Sequence, residues 1–147
     1  MKFVTRENPK VDRVACPWLI RHFIDPDAEL LFVPPDEVLP TAEREGAIPY
    51  DVPEVELGHH DGACSFEAFI TVYGLTDPAL LELAKIVHAA DTQDRSAAPE
   101  GEGVRQIANG WHLLGWRLDQ RLQVGFALYD CLYAVCQERV GQATAGN

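Results

Sequence analysis

At 147 residues the chain suits one domain around a single core and needs no second. Its formal net charge of −11, from 23 acidic residues against 12 Lys and Arg, makes a negative field that no basic run offsets, which argues against direct binding to DNA or RNA phosphates. The N-terminus lacks the apolar region of a signal peptide and no stretch approaches the roughly 18 apolar residues of a bilayer span, so a cytoplasmic protein without membrane contact is expected.

The chain opens with a short apolar run at residues 3–5 that reads as a strand, then a polar turn at Glu7-Asn8-Pro9-Lys10. Pro17 suits a first helical position, which makes Cys16 the expected N-cap of a short helix ended by Asp25-Pro26. Residues 29–33 form a buried strand closed by Pro34-Pro35, residues 36–45 a helix stopped by Gly46, and residues 47–52 a third strand. Residues 54–64 form a polar loop carrying His59, His60 and Asp61 between two glycines, and such loops are where binding groups concentrate.

Ser65 reads as the cap of a helix running to Tyr73, and Asp77-Pro78 starts another whose apolar face is Leu80, Leu83, Ala84 and Val87. Residues 94–103, rich in Pro, Gly, Ser and acidic residues, read as a mobile surface loop able to lie over a site. Beyond them Val104, Ile107 and Trp111 suggest one helix, and Leu122, Phe126, Tyr129, Tyr133, Cys136 and Val140 a second whose stripe faces the core or another subunit. Residues 141–147 have nothing to bury and are expected to fray. The expected architecture is α+β over residues 1–147: a small N-terminal sheet packed with helices, a largely helical C-terminal half, and a homodimer through apolar helix faces.

His59, Glu67, His88 and Asp91 are the candidate ligands of a divalent metal ion. His88 and Asp91 stand three apart on one helix face, Glu67 opens the preceding helix and His59 lies in the loop before it, so packing of the two helices can converge all four. A mixed N and O donor set suits Fe, Mn or Zn. Adjacent side chains in extended backbone diverge, so His59 is preferred and His60 kept as its support or substitute. The ordinary reading of the same residues is a helix-terminal charge at Glu67, a cap-region residue at Asp91 and hydrogen-bonded surface histidines.

Arg13 and Arg21, flanking a helix N-terminus, could orient a small anionic ligand or substrate, or simply pair with nearby carboxylates. Cys16 at that N-cap would be either a dipole-stabilised thiolate or a small buried hydrophobe, and Cys16, Cys64, Cys131 and Cys136 lack CxxC spacing and read as free thiols. Trp18, Trp111 and Trp116 read as core or interface anchors.

The run Asp12-Arg13-Val14-Ala15-Cys16-Pro17-Trp18-Leu19-Ile20-Arg21-His22-Phe23-Ile24-Asp25-Pro26 resembles the opening signature of the ChrB C-terminal domain family. The resemblance continues through Glu56-Leu57-Gly58-His59-His60, Cys64-Ser65-Phe66-Glu67, Tyr73-Gly74-Leu75 and Ile86-Val87-His88-Ala89-Ala90-Asp91. It implies an association with chromate resistance, and since the family's full-length regulators carry an extra N-terminal portion linked to DNA binding, transcriptional regulation by this chain alone is not expected. It names no reaction. Two functions follow as expectations: a metal-dependent enzyme acting on a small anionic or oxidised molecule, or a non-catalytic oxyanion or metal sensing module.

Overall fold

The computed structural model describes residues 1–94 and 96–145. Strand β1 (Lys2–Arg6) leads into helix α1 (Asp12–Leu19), which widens into a π-helical turn at Ile20–Ile24 before β2 (Glu29–Val33). A 3-10 turn at Pro35–Glu37 precedes α2 (Val38–Glu45) and the two-residue β3 (Ile48–Pro49). Four helices complete the chain: α3 (Ser65–Val72), α4 (Pro78–Asp91), α5 (Glu100–Leu113) and α6 (Leu118–Ala145). The fold is α+β, with a three-stranded parallel sheet in the order β2-β1-β3 and a helical C-terminal half.

β1 is central and its Phe3, Val4 and Thr5 are all buried, as expected of a parallel strand covered on both faces. Alternation along the strand sends Phe3 to the main core, edge-on to Tyr50 and tilted against Phe69, while Val4 joins Val38, Ala47 and Val52 in a small core on the other face. The α6 stripe is spent on this molecule's own core: Tyr129 and Cys136 are buried, and Leu122, Phe126, Tyr133 and Val140 pack against the same cluster. Trp18 and Trp111 are buried in it too, and each indole N–H has an acceptor, Asp130 Oδ1 at 2.8 Å and the Pro9 carbonyl at 3.0 Å.

Five local expectations are corrected. Helix α1 begins at Asp12, so Pro17 lies inside it and Cys16 is not its N-cap; the missing proline N–H is tolerated in a helix that loosens into the π turn just beyond. β3 stops at Pro49, because proline cannot donate to a ladder and Asp51 turns the backbone to a positive φ of 52°. Cys64, not Ser65, caps α3.

The expected loop at residues 94–103 ends early, since Glu100–Gly103 is already the first turn of α5. Its glycines were read as loop formers, but Gly101 is buried where α5 crosses α4, and a Cβ there would stand 2.4 Å from the Ala89 Cβ. The absence of a side chain is a packing requirement, and Glu100 and Glu102 complement the helix N-terminus. Gly101→Ala is therefore expected to destabilise the fold by about 2 kcal/mol through overpacking, as urea denaturation would show. Of the tail expected to fray, residues through Ala145 continue α6, and Gly146 and Asn147 lie outside the described residues.

Candidate metal centre

The C-terminal end of β1 is where the polar residues of the first half converge, as ligand sites of parallel sheets generally do. Arg6 is the last residue of β1, Asp12 the first of α1, Asp51 follows β3 by two residues, His59 sits on the loop after it, and Asp91 ends α4. The C-terminal helices hold the loop that presents Asp12. Trp111 of α5 and Arg121 of α6 both donate to the Pro9 carbonyl, and the Tyr129 hydroxyl donates to that of Val11 at 3.3 Å. On the other side, Gly58 permits the turn before His59, because a Cβ there would meet the Val52 carbonyl oxygen at 2.7 Å.

Asp12 is fully inside the protein and its carboxylate works as the N-terminal cap of a different helix. Oδ2 accepts from Ser65 N at 2.8 Å, and Oδ1 accepts from Phe66 N at 3.0 Å and from Cys16 Sγ at 3.4 Å. These are the free N–H groups that begin α3.

His59 Nε2 then faces three carboxylates: Asp51 Oδ1 at 3.0 Å, and Asp12 Oδ2 and Asp91 Oδ2 each at 3.4 Å. One donor atom each from Asp12, His59 and Asp91 lie mutually within 4.8 Å, close enough to share one ion. Asp51 is tied from behind, its Oδ2 standing 3.3 Å from both Arg6 Nη2 and Arg13 Nε, while Arg13 also donates to the carbonyls of Arg6 and Glu7. Three carboxylates thus stand against two guanidiniums, and buried carboxylates require further compensation, from a proton on His59 or from a cation.

The electrostatics follow. Hydrogen bonding to Asp12 first, then Asp51, lifts the His59 pKa to about 10 against the opposing effect of burial. Burial, together with the charges of Asp12 and Asp51, lifts that of Asp91 to about 8. Burial raises Asp12 as well, with His59 pulling it back. Once deprotonated, the buried carboxylates of Asp12 and Asp91 and the imidazole between them would offer lone pairs to a divalent ion, and this O-rich mixed set suits Fe, Mn or Zn. His59 remains 47% exposed in its side chain, so the point of convergence is reachable from solvent.

These residues line a cavity of about 300 Å³ whose wall also includes Arg6, Lys10, Arg13, Thr92, Gln93, Arg105 and Asn109. Among the described residues two buried polar atoms have no hydrogen-bond partner, and one, Arg6 Nε, belongs to this wall.

The sequence candidates separate into two pairs. His59 and Asp91 meet at the cavity, with Asp12 and Asp51 added. Glu67 and His88 meet each other instead, Glu67 Oε1 lying 2.7 Å from His88 Nδ1 and also accepting from Cys64 N at 3.0 Å. Asp94 Oδ2 stands 3.3 Å from the other His88 nitrogen, and Glu67 is the main reason the His88 pKa is raised. Neither Glu67 nor His88 lines the cavity.

Arg13 does line it, whereas Arg21 is exposed, donates to the Ala28 carbonyl and lies over the Phe126 ring. His60 turns to the carbonyls of Val55 and Glu56. Cys16 is buried and its thiol is pushed up by that burial and by Asp12, which matches the small buried hydrophobe of the two roles its sequence allows rather than the thiolate.

Asp12, Asp51, Arg6, Lys10 and Arg105 were not singled out by the sequence. Asp12 stands beside Arg13, which the sequence did single out, and placing the helix start at Asp12 would have pointed to it as well.

The family model described as ChrB, C-terminal domain, matches residues 3–136. The protein named Protein ChrB from Cupriavidus metallidurans is 33% identical over 110 residues, which cover 74% of this chain and 32% of that protein, so the chain spans about a third of that relative's length. No solved structure matches the chain.

Proposed function

The chain belongs to the ChrB C-terminal domain family, and we propose that within this domain the cavity at His59 is a divalent-metal centre acting on a small anionic molecule. The observation that carries this reading is the convergence of the Asp12 and Asp91 carboxylates on one imidazole nitrogen, with Asp51 beside them, at the wall of a solvent-reachable cavity. Three protein ligands leave coordination positions for substrate, the pattern of catalytic rather than closed structural sites. Asp12, His59 and Asp91 would hold the ion, which would supply Lewis-acid chemistry to a substrate or water oxygen.

The chain's own residues do the rest. Asp12 is pinned by two backbone N–H groups and cannot swing away. Asp51, anchored by Arg6 and Arg13 through Oδ2, presents Oδ1 toward His59 and is placed to accept a proton from a reacting group. Arg13 and Arg6 keep positive charge beside the point where an anion would sit. Chromate resistance, implied by the resemblance, is the context proposed for this activity. A sensing module using the same cavity is the second reading. It predicts ligand binding without turnover.

Elemental analysis of protein purified without chelator tests the centre. A metal-to-protein ratio of about one for Fe, Mn or Zn is expected, falling by at least about tenfold in His59→Ala and Asp91→Ala proteins that keep their circular dichroism. A wild-type chain that takes up none of the three after reconstitution, or variants that retain the metal, would overturn the proposal.

A further inference from the structure

The cavity beside His59 is larger than a bare oxyanion requires. Its volume of about 300 Å³ corresponds to about ten waters at roughly 30 Å³ each, whereas a central atom with its four oxygens displaces on the order of three. The polar groups around it also come from separate elements. The acidic cluster and His59 form one part, while Lys10 comes from the loop before α1 and Arg105 and Asn109 from successive turns of one α5 face.

The cations of this wall are not equally engaged. Arg6 and Arg13 are held by Asp51, and Arg105 forms a two-point contact with Glu102. Lys10 Nζ has, among the described residues, only the neutral Asn109 Oδ1 as a partner, at 3.4 Å. Among the described residues of the wall its charge is therefore the one without a carboxylate partner, and the Asn109 amide beside it supplies a further donor.

We infer that the cavity takes an organic anion of on the order of ten heavy atoms, whose phosphate or carboxylate docks on Lys10 and Asn109 while an oxygen elsewhere in the molecule reaches Asp12, His59 and Asp91. The second contact rests on the metal-centre reading; the first does not. Gln93, also in the wall, gives an amide group to the polar middle of such a molecule.

Calorimetric titration of the chain, Mn2+-loaded and metal-free, compares 3-phosphoglycerate and phosphoenolpyruvate with inorganic phosphate, sulfate and chromate. One of the organic phosphates is expected to bind at least about tenfold tighter than every inorganic anion. Lys10→Gln should weaken it about tenfold while leaving Mn2+ uptake unchanged. An inorganic oxyanion binding as tightly as both organic phosphates, no binding of either, or indifference to Lys10→Gln would overturn the inference. If the chain takes up no Mn2+ but still binds an organic phosphate through Lys10, the metal reading fails and the anion site stands.

Discussion

Asp12→Ala is expected to destabilise the protein by about 3 kcal/mol, a fall of roughly 10 °C in Tm for a domain of this length, and to abolish metal uptake. Two backbone donors, Ser65 N and Phe66 N, both on fully buried residues, lose their acceptor at once. Each hydrogen bond to a charged acceptor is worth about 1.5–3 kcal/mol, and relief of repulsion from Asp51 and Asp91 offsets part of the sum. Asp12→Asn keeps a single acceptor oxygen, so it should fall between wild type and alanine in stability while matching alanine in metal loss. Urea denaturation of the metal-free proteins reads the first effect and elemental analysis the second. A loss below about 1 kcal/mol for alanine would mean that Asp12 does not hold the helix.

The second large effect concerns pH. Asp91 has its pKa raised from 3.8 to about 8, so the folded state binds this proton more tightly than the unfolded chain. The associated stability is complete below about pH 4 and is lost as pH rises through 8. His59, raised from 6.5 to about 10, has the same sign in a higher window: its contribution is present below 6.5 and lost as pH rises through 10. The metal-free chain should therefore become steadily less stable from mildly acidic to alkaline solution, and a divalent ion should restore more stability at pH 8 than at pH 6.

Asp91→Asn separates these contributions. An uncharged amide of the same shape removes the cost of ionising Asp91 beside Asp12 and Asp51, so at pH 8 the metal-free variant should exceed wild type by about 2 kcal/mol, a figure kept small because His59 shares the proton. The same substitution should eliminate stabilisation by added metal. Opposite signs from one variant are hard to obtain from a residue with a purely structural role. A metal-free Asp91→Asn protein less stable than wild type at pH 8 would sink the account.

Which features were legible depended on the range of the interactions that define them. β1, β2 and the helices α2 to α6 could be read because apolar spacing, Pro78 after Asp77, and Gly46 after α2 are signals carried by neighbouring residues. The start of α1 was missed because Pro17 is a strong local marker for a first turn, yet the helix is held from outside by Asp12 capping α3 and by α6 packing against it. Gly101 misled for the same reason: local rules read glycine as a loop, while the contact with Ala89 that demands it comes from another helix.

The site divides along the same line. His59 and Asp91 were found from residue type and spacing, the same signal that also selected Glu67 and His88. Their partners could not. Asp12 and Asp51 reach the centre from 47 and 8 residues before His59, through a parallel sheet that brings the ends of β1 and β3 together, and that pairing sets two carboxylates beside the nitrogen that Asp91 approaches from α4. The sequence by itself determined the acidity, the α+β class and the supply of metal-ligating groups, since these depend on composition and local periodicity. Tertiary structure alone decided that Glu67 pairs with His88 while Asp12 joins His59 and Asp91, because a side chain's partner is set by which element its backbone packs against, and that is a property of the assembled core.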